Sequence, residues 1–248
     1  MAFVPDKKLV ILCLGYFREN LSLGLGSIPI AAAEAATDIR IKQIFSALTD
    51  YVTLQRTIVQ ENNGPSLKEL DEVSKISYPL CMRIIHEKLR SNHHLFHGER
   101  VQYILFLKSI GVSLDDALEL WREEFTKRID EDKFNTEYGY RLKHLYGQTR
   151  THKDYNCCNC TKIISFNVKP TESHGCPFKH LTHLSLRKKL SDYNIVPKDI
   201  EDIVQISSFG HCEEACKKYY EITSNCSVDK IFQSPVNYFS VSRKNQSS

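Results

Sequence analysis

The sequence predicts a mainly α-helical protein with a small β element. Three observations carry that expectation. Apolar residues recur at intervals of three and four over most of the chain, polar capping pairs open several of these stretches, and prolines stand where first helical turns would begin. The capping pairs are Ser66 with Glu69 and Ser113 with Asp116, and the first-turn prolines are Pro79 and Pro197.

Taken in order, residues 7–22 carry Leu9, Leu12, Cys13 and Tyr16 at helical spacing, and Gly24, Gly26 and Pro29 then break the chain. A second helix is expected over residues 31–52, with Ile41, Ile44, Phe45, Leu48 and Tyr51 on one face. The two make a hairpin whose apolar face needs a partner. Glu61-Asn-Asn-Gly-Pro-Ser66 is the clearest linker signal, so one domain is expected over residues 1–62 and a second over 66–232. In the second, a helix should run from Pro79 to about residue 91 with Cys81 in its first turn. A histidine-rich break over 92–98 precedes another helix through Ile110, and the next carries the stripe Leu114, Leu118, Trp121 and Phe125. Residues 137–156 lack clean periodicity; here and over 162–168 short strands are expected. Three short helices should follow, at about 181–193, 197–206 and 211–223, before a polar tail, 233–248, expected to fray.

With 248 residues the chain suits one large domain or two modest ones. Its net charge is only +3, so a nucleic-acid role would rest on local patches rather than a global field. No run approaches a membrane span, and the apolar run at residues 10–14 is short for a signal peptide. Without secretion, the nine cysteines read as buried thiols and metal ligands rather than a disulfide framework. Asp130-Glu-Asp132 is the one compact pair of carboxylates with metal-binding spacing, and it reads as a solvated helix terminus. No Ser–His–Asp pattern, phosphate-cradling glycine loop or dinucleotide fingerprint is evident.

Four of the cysteines fall between residues 157 and 180, where Cys157-x-x-Cys160 and the pair Cys176-Pro177 stand out. The first spacing serves zinc knuckles and redox pairs; the second closes many iron–sulfur ligand sets. Cys212 and Cys216 lie four apart on one predicted helix face, and Cys81 stands alone upstream. Spacing alone leaves two readings open. One is a zinc site of Cys157, Cys160 and Cys176 with His174 or His180; the other is an iron–sulfur site gathering distant segments.

Four blocks resemble one family. They are Tyr78-Pro-Leu-Cys81-Met-Arg with Asn92-His-His-Leu; Arg100-Val-Gln-Tyr-Ile-Leu-Phe-Leu-Lys108-Ser-Ile-Gly111; Cys160-Thr-Lys-Ile-Ile with His174-Gly-Cys176-Pro-Phe-Lys-His180; and Ala215-Cys216-Lys-Lys-Tyr-Tyr-Glu221. In content and order they are similar to the C-terminal iron–sulfur domain of the eukaryotic and archaeal DNA primase large subunit. The resemblance implies that fold, preceded by the helical remnant of an N-terminal domain most of which this sequence does not contain. It implies a [4Fe-4S] cluster on Cys81, Cys160, Cys176 and Cys216, with Cys157, Cys158 and Cys212 as neighbours. It further implies a non-catalytic, nuclear subunit that holds DNA template, initiating nucleotide and the RNA primer 5′ end. The implied partners are the catalytic small primase subunit and the DNA polymerase alpha complex. The alternative is a zinc-stabilised nucleic-acid-binding module without a primase role.

Such a grip calls for cationic donors around phosphates and rings or hydroxyls along the backbone. His97, Arg100 and Lys108 fall within an arc of about 80° at roughly 100° per residue, with His94 just before them. Tyr138, Tyr140 and Arg141 open an aromatic–basic run. Phe96 stands where the family presents an arginine, and Glu99 adds an acid to the same loop; both are expected to weaken the anion site.

Overall fold

The backbone N–H of Ser66 donates to Glu69 Oε2 at 2.9 Å, so the polar pair predicted to cap a helix does cap a 3₁₀ turn, Leu67–Glu69. The turn runs straight into α1 (Leu70–Ser77). The computed structural model describes residues 64–148 and 155–246, which belong to one compact unit, Ile58–Ser248. The hairpin expected over residues 7–52, and with it the domain of 1–62, lies outside the described residues.

α2 (Leu80–Asn92) starts one residue after Pro79, which is its N-cap, and ends on His93 in the left-handed conformation, φ 54°. α3 (His97–Ser109) follows. Gln102, Tyr103, Ile104, Leu105, Phe106 and Leu107 are buried in succession, so this helix is enclosed on nearly all sides. α4 (Leu114–Phe125) is capped as predicted, Ser113 Oγ accepting from Asp116 N at 3.0 Å. Asp130 then precedes a short exposed turn, Glu131–Lys133, at a solvated helix start. A π turn, Phe134–Gly139, leads into α5 (Tyr140–Leu145). Beyond it come α6 (Cys160–Ile164), α7 (Pro177–His180), α8 (His183–Asp192), α9 (Pro197–Ser208), α10 (Cys212–Ser224) and α11 (Pro235–Gln246).

Two expectations are corrected. Among the described residues there is no strand. Of the two stretches read as β-like, residues 140–145 and 160–164 are helical. Asn159 decides the second, its side chain accepting from Lys162 N at 2.9 Å and committing the next residues to a turn of helix. The first is held by burial of Phe134, Leu142 and Leu145 at helical intervals, a pattern the basic residues between them obscure. Nor are residues 235–246 of the C-terminal stretch a frayed tail. α11 buries Tyr238 and Phe239; Gln246 Nε2 donates to Ser77 Oγ at 2.9 Å and Asn245 Nδ2 to Tyr220 Oη at 2.8 Å. Two buried aromatics outweigh a polar composition.

The buried side chains form two cores. Tyr78, Tyr103, Phe106, Trp121, Phe125 and Phe134 dominate the first; Phe178, Leu186, Leu190, Ile203, Tyr219, Tyr220 and Tyr238 build the second. Cys176 packs against both, Cys81 against the first and Cys216 against the second. The cysteines therefore stand on the seam between the cores.

Candidate metal centre and nucleic-acid interface

The local sequence puts each cysteine at a helix start. Cys81 is the second residue of α2, Cys160 the first of α6 and Cys176 the N-cap of α7, while Cys216 lies one turn into α10. Helix N-termini present unpaired N–H groups and a positive dipole end, a setting that suits thiolate sulfur. All four side chains line one cavity of about 30 Å³, walled otherwise by apolar groups that include Ile163, Phe178, Phe232 and Tyr238. Each is half-buried, as a side chain facing a cavity should be. Cys212 and Glu213 complete the wall. Cys157, His174 and His180 are not among the residues lining it, although Cys157 acts on Cys81 from nearby. The His174 ring packs beside Gly98 instead, and His180 packs beside Gly175.

Among the described residues, no three His, Cys, Asp or Glu side chains are drawn in around one point. The thiols are spread around the cavity wall. Burial pushes them towards the neutral form: Cys160 rises to about 12, and Cys81 and Cys216 rise well above the ordinary thiol range. Neighbouring thiols reinforce this, Cys216 and Cys160 acting on Cys81. Cys212, its neighbour on the cavity wall, and burial together push the Cys176 thiol up. The donor set is soft, anionic once deprotonated and set in apolar surroundings. It fits a cation-rich sulfur-loving group and not a hard ion.

Sequence reasoning missed three supports of this site. Residues 232–238 lie in the stretch read mostly as tail, yet Phe232, Ser234, Pro235 and Tyr238 close the cavity wall, and Cys160 N donates to Gln233 O at 2.8 Å. Glu99 was expected to face phosphates. It is fully buried, accepting from Lys88 Nζ at 2.5 Å, Phe96 N at 2.7 Å and Ser173 N at 2.5 Å. Its place three residues after the N-cap of α3 was the signal available. Gln102, one turn further on, accepts from Gly175 N at 2.7 Å. Together they fasten residues 173–175, the approach to Cys176, onto α3.

The opposite side of α3 gathers the predicted basic residues, with one exception. His97 Nδ1 lies 3.0 Å from Arg141 Nη1, and the Arg100 guanidinium lies 5.0 Å from the Tyr138 ring centroid. Arg100 Nη1 donates to Leu95 O at 2.6 Å, while its buried Nε has no hydrogen-bond partner. Burial first, then Arg141 and Arg100, lower His97, so its ring is the neutral acceptor of the Arg141 donor. His94 packs edge-on to Phe96 at 5.8 Å and is likewise lowered by burial and by Arg100. Tyr140 is 64% exposed beside Arg141. Lys108 is not part of this group. Eleven residues from His97 at about 1.5 Å each, it lies roughly 16 Å along α3, and it donates to Tyr155 O at 3.0 Å and Leu145 O at 3.4 Å.

With this geometry in hand, comparison with known proteins is decisive. Residues 71–239 match the family model of the C-terminal domain of the eukaryotic and archaeal DNA primase large subunit. The chain belongs to that family. It is 40% identical over 228 residues to the DNA primase large subunit of Homo sapiens, covering 90% of this chain and 45% of that protein. It is 38% identical over 242 residues to the Drosophila melanogaster DNA primase large subunit, covering 98% and 45%, and 38% identical over 250 residues to a probable DNA primase large subunit of Arabidopsis thaliana, covering 98% and 54%. The chain thus spans about half the length of the curated relatives it matches. The span matched to the primase family runs from α1 into α11 and contains all five cavity cysteines and all seven basic and aromatic candidates.

Proposed function

We propose that this chain is the cluster-holding, primer-gripping part of a primase large subunit: it binds one [4Fe-4S] cluster through Cys81, Cys160, Cys176 and Cys216. It has no active site of its own. It holds DNA template, initiating nucleotide and the 5′ end of the RNA primer while the catalytic small subunit extends it, in a nuclear assembly with DNA polymerase alpha. The observation that carries this reading is the convergence of four cysteines, from four helices far apart in sequence, on one apolar cavity between two cores.

A cavity to which each of four helices brings a thiol suits a cluster, which takes one thiolate per iron, better than a single zinc ion, which needs all its donors at one point. When bound, the cluster would supply the iron that keeps four buried thiols deprotonated and would tie the two cores together. On the other side of α3, His97, Arg100 and Arg141 would meet phosphate oxygens. Arg141 is exposed and free to swing from His97, and a phosphate between them would favour the protonated ring. Tyr138 and Tyr140 offer faces and hydroxyls to sugar and base. Because Glu99 is neutralised internally by Lys88, it does not repel that phosphate; of the two departures expected to weaken the site, Phe96 remains, 41% exposed.

Anaerobic purification followed by iron, acid-labile sulfide and zinc analysis tests the reading. It requires about four iron and four sulfide per chain. Stoichiometric zinc without labile sulfide would favour the zinc-stabilised module.

A further inference from the structure

The cavity has a fifth thiol. Cys212 is the first residue of α10, one helical turn before Cys216, and it is 5% exposed. Residues at that spacing lie on one helix face with Cβ atoms about 5–6 Å apart, so a side chain at 212 reaches much of the space that one at 216 reaches. Cys212 lines the same cavity as the four proposed ligands, with Cys176 and Cys216 as its neighbours there. Cys212 belongs to the second core with Tyr219 and Ile203, and it also shares the cavity wall with the proposed cluster residues.

We infer that Cys212 is a reserve ligand, able to take the iron position of Cys176. The inference rests on the cluster reading given above. The exchange is a ligand substitution without change of iron valence. The Fe–S bond to Cys176 is lost, that sulfur takes up a proton, and a new Fe–S bond forms to Cys212 as its thiol gives up a proton. Three features single out Cys176 as the residue replaced. It is the proposed ligand on which Cys212 acts at closest range across the shared wall. It is an N-cap on a four-residue helix, approached by a loop held on α3 through Ser173 and Gly175, whereas Cys81 and Cys216 lie within helices of thirteen residues. Cys81 and Cys160 come from α2 and α6, and no adjacent residue of theirs brings a second sulfur to the cavity wall.

The test uses alanine, because a serine oxygen can itself bind iron. Wild type, C212A, C176A, C81A and the C176A/C212A double variant are reconstituted anaerobically, and iron, sulfide and the helical circular-dichroism signal are measured for each. Wild type and C212A should carry about four iron per chain. C176A should keep more than half of that, and the double variant and C81A less than a tenth. A C176A chain that loses its iron or its helicity as fully as C81A overturns the inference while leaving the cluster reading intact. So does a C212A chain that loses iron, since Cys212 would then be an obligatory ligand. Wild type without iron and sulfide overturns both.

Discussion

Gln102 and Gly175 are bonded in both directions: Gly175 N donates to Gln102 Oε1 at 2.7 Å and Gln102 Nε2 reaches Gly175 O at 3.5 Å. The pair is buried, and Gly175 is the residue before Cys176. The helix that presents His97 and Arg100 on one side therefore fixes the approach to a proposed cluster ligand on the other. Gly175 is also irreplaceable on steric grounds. Its φ is +85°, and an added Cβ would stand 2.8 Å from His180 Cδ2 and from Val168 Cγ2.

Replacing Gln102 with Leu keeps the volume and strands two backbone groups. Leaving a buried donor and acceptor unpaired costs about 1–3 kcal/mol, so Gln102→Leu should unfold at lower denaturant and release iron to a chelator several-fold faster. Equal stability and equal release would show that the loop is held by other contacts. Gly175→Ala should be more damaging on both counts.

Binding of a 5′-triphosphate primer–template should separate Arg100 and Arg141 from Lys108. Each arginine-to-alanine change should weaken binding about tenfold, equivalent to about 1.4 kcal/mol, and should lower the salt dependence. Lys108→Ala should leave affinity nearly unchanged and instead lower stability by about 1 kcal/mol, because its ammonium donates to backbone carbonyls. Fluorescence anisotropy at low salt measures the first effect, where phosphate contacts are strongest. Unchanged affinity in both arginine variants would remove this face from the site.

Acidification should destabilise the fold before any carboxylate titrates. His86 Nδ1 lies 2.6 Å from Tyr103 Oη and Nε2 lies 2.8 Å from Asp71 Oδ1. A neutral ring satisfies both, Nε2–H donating to Asp71 and Nδ1 accepting from the tyrosine, while Arg90 balances the Asp71 charge. Burial accordingly lowers His86 from its ordinary 6.5. Below that value the unfolded chain binds the proton and the folded one does not, so stability is present above 6.5 and lost as pH falls. Asp71, Glu87 and Glu124 are lowered too, despite burial, by hydrogen-bonded partners, and their contribution is lost only below about pH 4.5. Urea denaturation at pH 7.5 and 5.5 should show a drop that is shallower in His86→Gln. A wild type equally stable at both would contradict the neutral assignment.

Much of this site was legible because its chemistry is carried by rare residues. Cys81 follows Pro79 in an expected first helical turn, Cys157-x-x-Cys160 and Cys176-Pro177 carry ligand-like spacings, and the family blocks select Cys81, Cys160, Cys176 and Cys216 from nine cysteines. The basic face was legible only in part. Helical periodicity puts Lys108 within the same arc as His97 and Arg100, but angle ignores distance along the axis and the carbonyls of Tyr155 and Leu145. Glu99 shows the converse. A carboxylate in a loop reads as exposed, and only the approach of Lys88 and Ser173, the latter 74 residues away in sequence, makes it internal. Tertiary contact also decides α11, whose Ser, Asn and Arg residues hide two core aromatics, and Cys212, whose spacing from Cys216 does not reveal that both face one cavity.

The central claim is that the metal centre spans the domain and is not a local knuckle. Iron content after Cys81→Ala and Cys157→Ala, reconstituted anaerobically in parallel, tests it most directly. The account predicts that loss of Cys81, nearly 80 residues from Cys160, abolishes iron binding, while loss of Cys157, three residues from Cys160, leaves about four iron per chain. Metal retained without Cys81 and released without Cys157 would contradict it.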